Sequence, residues 1–266
     1  MGLTSSITRF TDPYDRQARL YPALLAIAPA VLTASSLYGA HASLLTSGAA
    51  ILVSCGIMFW FSNLARDRGK MLEPSLFSEW GGKPSVQLLR YRDTYIDSVT
   101  KRRYHAALSA GMRIEFPSPE LESNDSSHAD AVYESATKWL LERTRDTRRH
   151  ALLFKENVSY GFRRNMLGLK PIGVGIALIA LLWALAASGI ARAIDLSASL
   201  DRILAPAYLI SIAGSVLLLL MWLAGTTNER VRIVAFAYAE RLLAACETID
   251  DAKSEAKSAK KSKPKT

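Results

Sequence analysis

The sequence predicts an all-α integral membrane protein: two transmembrane helical hairpins, a mainly helical cytoplasmic insert and a C-terminal cytoplasmic helix. Three observations carry this reading. Apolar residues make up 50% of the 266 residues and are bunched into four runs, about 20–38, 44–61, 171–191 and 205–224. Each run approaches the ~20 helical residues that cross a roughly 30 Å hydrocarbon layer. None contains Asp, Glu, Lys or Arg, whereas a helix of a water-soluble fold keeps a polar stripe. The third observation is the placing of charge. Arg9, Arg16 and Arg19 precede the first run, nineteen Lys and Arg lie between the second and third, and nine follow the fourth. Arg192 and Arg202, between the third and fourth runs, are balanced by Asp195 and Asp201. The positive-inside bias then puts both termini and the central region in the cytoplasm. The net charge of +9 is largely a topology signal, and its surplus bears on an anionic partner.

These boundaries divide the chain into a cytoplasmic N-terminal segment (1–19), a first transmembrane hairpin (20–62), a cytoplasmic basic domain (63–170), a second hairpin (171–225), a cytoplasmic helix (226–250) and a disordered Lys-rich tail (251–266). The first run is longer than a signal-peptide core and contains Pro22 and Pro29, so it is expected to be retained. Pro29 removes one ladder bond from the helix interior and is a candidate kink or gate. Ala26, Ala30 and Ala34 form a small-residue contact face, as do Ala207, Ser211 and Ser215 on the fourth run, while Gly48 and Gly56 mark the second. Such faces pack helices within one chain. In an oligomer they also offer Ser54, Ser211 and Ser215 as pore-lining hydroxyls.

The insert is too long for a structureless loop. Gly81-Gly82-Lys83-Pro84 signals a turn, residues 98–108 a helix, and Ser127 an N-cap for a helix starting near Ala129. Pro171 suits the first turn of the third span. Gly225-Thr226-Thr227-Asn228 offers a hinge and a cap. Beyond it, Val231, Ala235, Tyr238, Leu242, Ala245 and Ile249 alternate steps of four and three, a short seam that needs a partner in the same chain or in a neighbouring subunit.

Two groups of residues are candidates for function. Tyr160, Phe162, Arg163, Arg164 and Lys170 form a cytoplasmic membrane-interface anchor, with rings at headgroup depth and cations on phosphates. In the insert, two five-residue stretches repeat, "RYRDT" at 90–94 and "RTRDT" at 143–147. Their arginines offer planar donor forks to phosphate. Trp80, Lys83, Arg90, Arg92, Lys101, Arg103 and Arg145 are therefore candidate ligands for a nucleotide or short oligonucleotide, with Trp80 stacking on a base. The plainer reading of the same residues, and the one they favour taken alone, is an Arg–Asp salt-bridge network. No P-loop spacing is present. His41, His105, His128 and His150 show no metal-ligand spacing, Cys55 and Cys246 give no disulfide framework, and no nucleophile motif occurs. An enzyme, a metal and a cofactor are not expected.

The segments "TDPYDRQARLYPALL", "EWGGKP", "LLRYRDT", "TKRRYHAAL" and "TRDTRRHALLFKENVSYGFRRNMLGLKP" resemble a group of bacterial inner-membrane proteins. Two spans, an insert of about a hundred residues and two more spans are similar in architecture to the four-helix membrane effectors of bacterial anti-phage signalling systems, the SMODS-associated and Hailong types among them. That resemblance implies a multi-pass inner-membrane protein that opens or disrupts the membrane under a nucleotide-derived signal from a companion nucleotidyltransferase. It carries over no ligand residue. The expected function is an oligomeric channel or membrane-disrupting effector in the lipid bilayer, controlled by an anionic cytoplasmic ligand. The alternative is a non-conducting scaffold that recruits a soluble protein or nucleic acid.

Overall fold

The computed structural model describes residues 12–38, 48–189 and 204–261; for 48–54 and 250–261 it describes the helix and not the side chains. The described residues are all helix or connection, with no strand among them. We number the helices α1 (Pro13–Tyr38), α2 (Gly48–Trp80), α3 (Pro84–Leu89), α4 (Ser98–Met112), α5 (Pro119–Asn124), α6 (Ser126–Arg143), α7 (Ala151–Ala187), α8 (Pro206–Gly225) and α9 (Asn228–Lys261). Three of them, α1, α7 and α8, are long and apolar enough to cross a membrane. The second predicted span begins before the described residues and continues as the first part of α2. Ser54, the connections 39–47 and 190–203, and the ends 1–11 and 262–266 lie where no side chain is described.

The chain forms two compact units, 1–73 with 158–231, and 74–157 with 232–266. In the first unit, α1, α2, α7 and α8 meet through small residues. A Cβ on Gly168 of α7 would stand 2.5 Å from the backbone nitrogen of Gly69 on α2, so the two backbones touch there. Gly173 lies against the Trp222 ring of α8, and Gly214 of α8 against Leu32 of α1. Ala26, Ala65, Met166, Leu169 and Trp222 are buried around these crossings.

Residues 16–20 of α1 are wound as a π-helix. Pro22 has no amide hydrogen, so the carbonyl of Ala18, four residues back, lacks its α-helical donor. The side chain of Asn165 supplies one instead, its Nδ2 donating to Ala18 O at 2.7 Å. Asn165 is completely buried, as a side chain engaged this way must be.

The second unit is built from capped helices. Asp97 Oδ1 accepts from Val99 N and Thr100 N at 3.0 and 2.9 Å to start α4. Arg113, with φ 59°, ends it in the left-handed conformation. Gly81 and Gly82 (φ 86° and 135°) form the predicted turn after α2. Leu89, Leu108, Tyr133 and Leu140 are buried with Leu242 and Cys246 of α9. The seam on α9 therefore finds its partner within its own chain.

Several expectations are corrected. Asp125, not Ser127, caps α6, its Oδ1 accepting from His128 N at 2.9 Å; a carboxylate before the helix outcompetes a hydroxyl inside it. Within the Gly225–Asn228 stretch, Thr227 supplies the cap of α9, its Oγ1 accepting from Arg230 N at 3.3 Å. The boundaries drawn at 62/63 and 170/171 fall inside the unbroken helices α2 and α7. Pro171 accordingly lies in the interior of α7 rather than in a first turn. Packing of the neighbouring Met166, Leu169 and Ile172 holds the helix through it. The tail predicted to be disordered is helical through Lys261, since its Ala, Lys and Glu residues extend a helix that is already nucleated.

Candidate functional site

Most of the residues proposed as phosphate ligands are instead engaged with the protein. Arg90 is buried. Its Nε and Nη2 donate to the two carboxylate oxygens of Asp130 at 2.8 and 2.6 Å, and its Nη1 to Gly81 O at 2.9 Å. The hydrogen bond to Asp130 raises the guanidinium pKa further. This bidentate pair ties the turn after α2 to α6. Lys101 is 3% exposed and donates its ammonium to the carbonyls of Arg90 and Asp93 at 2.6 and 2.5 Å. Burial pushes its pKa below the usual lysine value, only partly offset by Asp93. Trp80 is buried against Phe77 and has no solvent-facing ring to stack on a base.

The remaining candidates are exposed and paired in the manner of surface charges. Lys83 donates to Glu134 at 2.7 Å, Arg103 meets Glu247 at 3.0 Å and Arg145 meets Glu142 at 2.7 Å. Such contacts contribute little to stability and compete weakly with a ligand. Arg92 is exposed. The salt-bridge reading thus describes Arg90 and Lys101, and leaves Arg92 at the surface.

Beside this network, Glu122 Oε2 accepts from the Tyr133 hydroxyl at 2.7 Å and from Tyr91 N at 2.9 Å. Burial, then Glu122, pushes the Tyr133 pKa far up. His105 packs among Tyr91, Phe116 and Tyr133. Its Nε2 lies 2.8 Å from Leu89 O. A carbonyl only accepts, so Nε2 carries the hydrogen and Nδ1 is a buried acceptor without a donor. Desolvation by burial holds the His105 pKa below 6.5.

The predicted interface anchor is only partly an outer surface. Tyr160 and Arg164 are buried, at 8% and 5% exposure. The Tyr160 hydroxyl donates to Glu73 at 3.0 Å, and Arg164 forms an ion pair with the same carboxylate while donating to Asn165 Oδ1 at 3.1–3.2 Å. These two residues therefore do not reach headgroups; the carboxylate on α2 recruits them inward. Phe162 and Arg163 are half-buried. Lys170 donates to Leu223 O and Thr226 O at 3.2 and 2.8 Å, closing the C-terminal end of α8. Sequence reasoning missed Glu73 and Asn165; the signal was Pro22, which leaves the carbonyl of Ala18 in need of a donor.

The candidate pore residues also face protein. Pro29 is buried. Ser211 and Ser215 are fully buried, Ser211 donating to Ala207 O at 2.8 Å and Ser215 lying 3.5 Å from Thr33 Oγ1. They bond within the helix and across α1 and α8 rather than lining a lumen inside one protomer.

Two grooves mark the second unit. One, of about 460 Å³, is lined by Tyr91, Asp93, Thr94, Ile96, Asp97, Ser98, Lys101 and Arg102. Its two carboxylates oppose its cations, and Lys101 is already engaged. The other, about 270 Å³, lies at the first turn of α7 beside α9. Among the described residues, no group of His, Cys, Asp and Glu is placed to hold a metal ion. Comparison with protein-family models, curated proteins and solved structures yields no match to this chain.

Proposed function

We propose that the protein is an oligomeric inner-membrane effector, a channel or a membrane-disrupting protein, controlled by a nucleotide-derived or other anionic cytoplasmic ligand. It has four spans, with both termini and the basic domain in the cytoplasm, and acts in anti-phage defence beside a nucleotidyltransferase. One observation carries this reading: apolar and basic surface are segregated along the chain. The candidate spans turn Ile179, Leu182, Leu217 and Leu220 outward, faces that suit lipid and neighbouring protomers alike. The second unit carries exposed cations such as Arg92, Arg102 and Arg148.

Helix α7 supplies the coupling. It is unbroken from Ala151 to Ala187, so a change at its first turn travels along a rod of about 55 Å. The ligand must bind closed and open states with different affinity, since equal affinity shifts nothing.

A specific observation favours the non-conducting scaffold as the second reading. Thr33, Ser211 and Ser215 spend their hydroxyls inside the protomer, and the exposed residues of α8 are all apolar. Dye release from liposomes containing the purified full-length protein separates the two. An effector releases dye when ATP or a cyclic dinucleotide is added, or constitutively until it is added. A scaffold releases none in either condition, and that result would overturn the channel reading.

A further inference from the structure

We infer that the 270 Å³ groove between the first turn of α7 and α9 is an anion site, built for a small phosphorylated ligand that also carries an apolar or ring-bearing part. This deepens the anionic-ligand reading above and rests on it for its cellular meaning. The lining is Arg149, His150, Ala151, Leu152, Leu153, Arg241, Ala244, Ala245 and Thr248. Among the described lining residues, every ionisable one is basic and none is a carboxylate.

Of the acids near the lining in sequence, Asp146 and Glu247 are already engaged, while Glu240, beside Arg241, is exposed. Asp146 Oδ1 accepts from Arg148 N and Arg149 N at 3.0 and 3.2 Å, which shapes the turn and holds its own pKa low. Glu247, on α9, meets Arg103. Among the described residues, Arg149 makes one hydrogen bond, Nη2 donating to Thr248 O at 3.2 Å. A guanidinium has five donors, so the rest of the fork is available, and Arg241 stands exposed in the lining. Two planar forks above one cavity suit a phosphate, whose oxygens accept bidentate pairs.

The other side of the groove is apolar. Leu153 and Ala245 form a buried floor, while Leu152 is 62% exposed. An isoleucine-sized apolar side chain held at the surface between arginines costs solvation in the empty protein and gains a partner when a ring or acyl stem covers it. The volume sets the size. It falls just below the roughly 300–1,000 Å³ of drug-sized pockets, which admits one nucleotide or one lipid headgroup and not a folded oligonucleotide. The site also lies where it matters: Ala151 to Leu153 are the first residues of α7, the second of the three candidate spans.

Nucleotide and phospholipid offer the same chemistry, and the experiment tells them apart. The full-length protein is placed in neutral phosphatidylcholine nanodiscs, and ATP binding is measured by calorimetry. In a second arm, retention of phosphatidylglycerol by the detergent-purified protein is counted by native mass spectrometry. The variants are Arg149→Glu with Arg241→Glu, the charge-keeping Arg149→Lys with Arg241→Lys, and a control outside the lining, Arg92→Glu with Arg102→Glu. All six substitutions are at exposed positions, and a thermal melt checks each fold.

Loss of ATP affinity by about tenfold or more in the Glu pair alone supports the groove with a nucleotide source. The same selective loss confined to phosphatidylglycerol supports it with a lipid source. If the Glu pair binds both probes as the wild type does, the groove is overturned while the anionic-ligand reading stands. If the wild type binds neither probe, both fall together.

Discussion

Burial of His105 among three aromatic rings makes the neutral imidazole the native form, and that has a sign in solution. The unfolded chain titrates near the ordinary 6.5, and desolvation holds the folded group lower. Below pH 6.5 the unfolded chain therefore binds the proton first. Its contribution to stability is present above 6.5 and is lost as pH falls toward the folded value. Denaturant unfolding of the full-length protein between pH 7.5 and 5 is expected to show this decline, and His105→Gln is expected to flatten it. An unchanged slope in the variant would assign the decline to other groups. At this scale the sequence was readable where the partner is local. The helix at 98–108 is such a case, although its Asp97 cap, two and three residues from its donors, is not among the expectations, and Ser127 is expected where Asp125 caps α6. It was unreadable where the partner is remote: Asp130 is 40 residues from Arg90, and Glu73 is 91 from Arg164. An arginine in a hydrophilic stretch looks the same whether a buried carboxylate or a ligand awaits it.

Helices α2 and α7 meet without side chains at Gly69 and Gly168, and the contact is directly testable. Gly168→Ala puts a methyl group onto the α2 backbone, which cannot yield as a side-chain tip would. The expected cost is about 1–3 kcal/mol, read as lower thermal stability in detergent. Gly175→Ala, on the same helix, meets nothing within 4 Å. It should be neutral or stabilising by up to about 1 kcal/mol, the ordinary helix-interior gain of Ala over Gly. Equal effects at both positions would remove the close crossing. Helix existence was largely legible from apolar periodicity and cap chemistry, as α4 and the seam on α9 illustrate. Helix ends were less so. Pro171 reads as a beginning, yet its neighbours' packing carries α7 straight through it, a tertiary effect that overrides a local signal.

For the molecule as a whole, the charge distribution predicts sidedness. In a Cys55→Ser, Cys246→Ser background, Arg92→Cys and Arg148→Cys are expected to resist a membrane-impermeant maleimide in intact cells and to react after permeabilisation. Labelling of intact cells would place the basic domain outside and end the reading of an internal ligand. The class of the fold was written in the bunching of apolar residues; the site was not. Four of the arginines and lysines singled out by pattern remain as surface charges, and two hold the domain together. The groove that best suits an anion draws Arg241 from a helix, 92 residues on from Arg149, a proximity that only folding creates. The glycine crossing has one more consequence. Between Asn165 and Gly168, one turn of α7 both donates to the α1 backbone and touches the α2 backbone, so three helices are locked at a single level and a substitution there is felt by all of them.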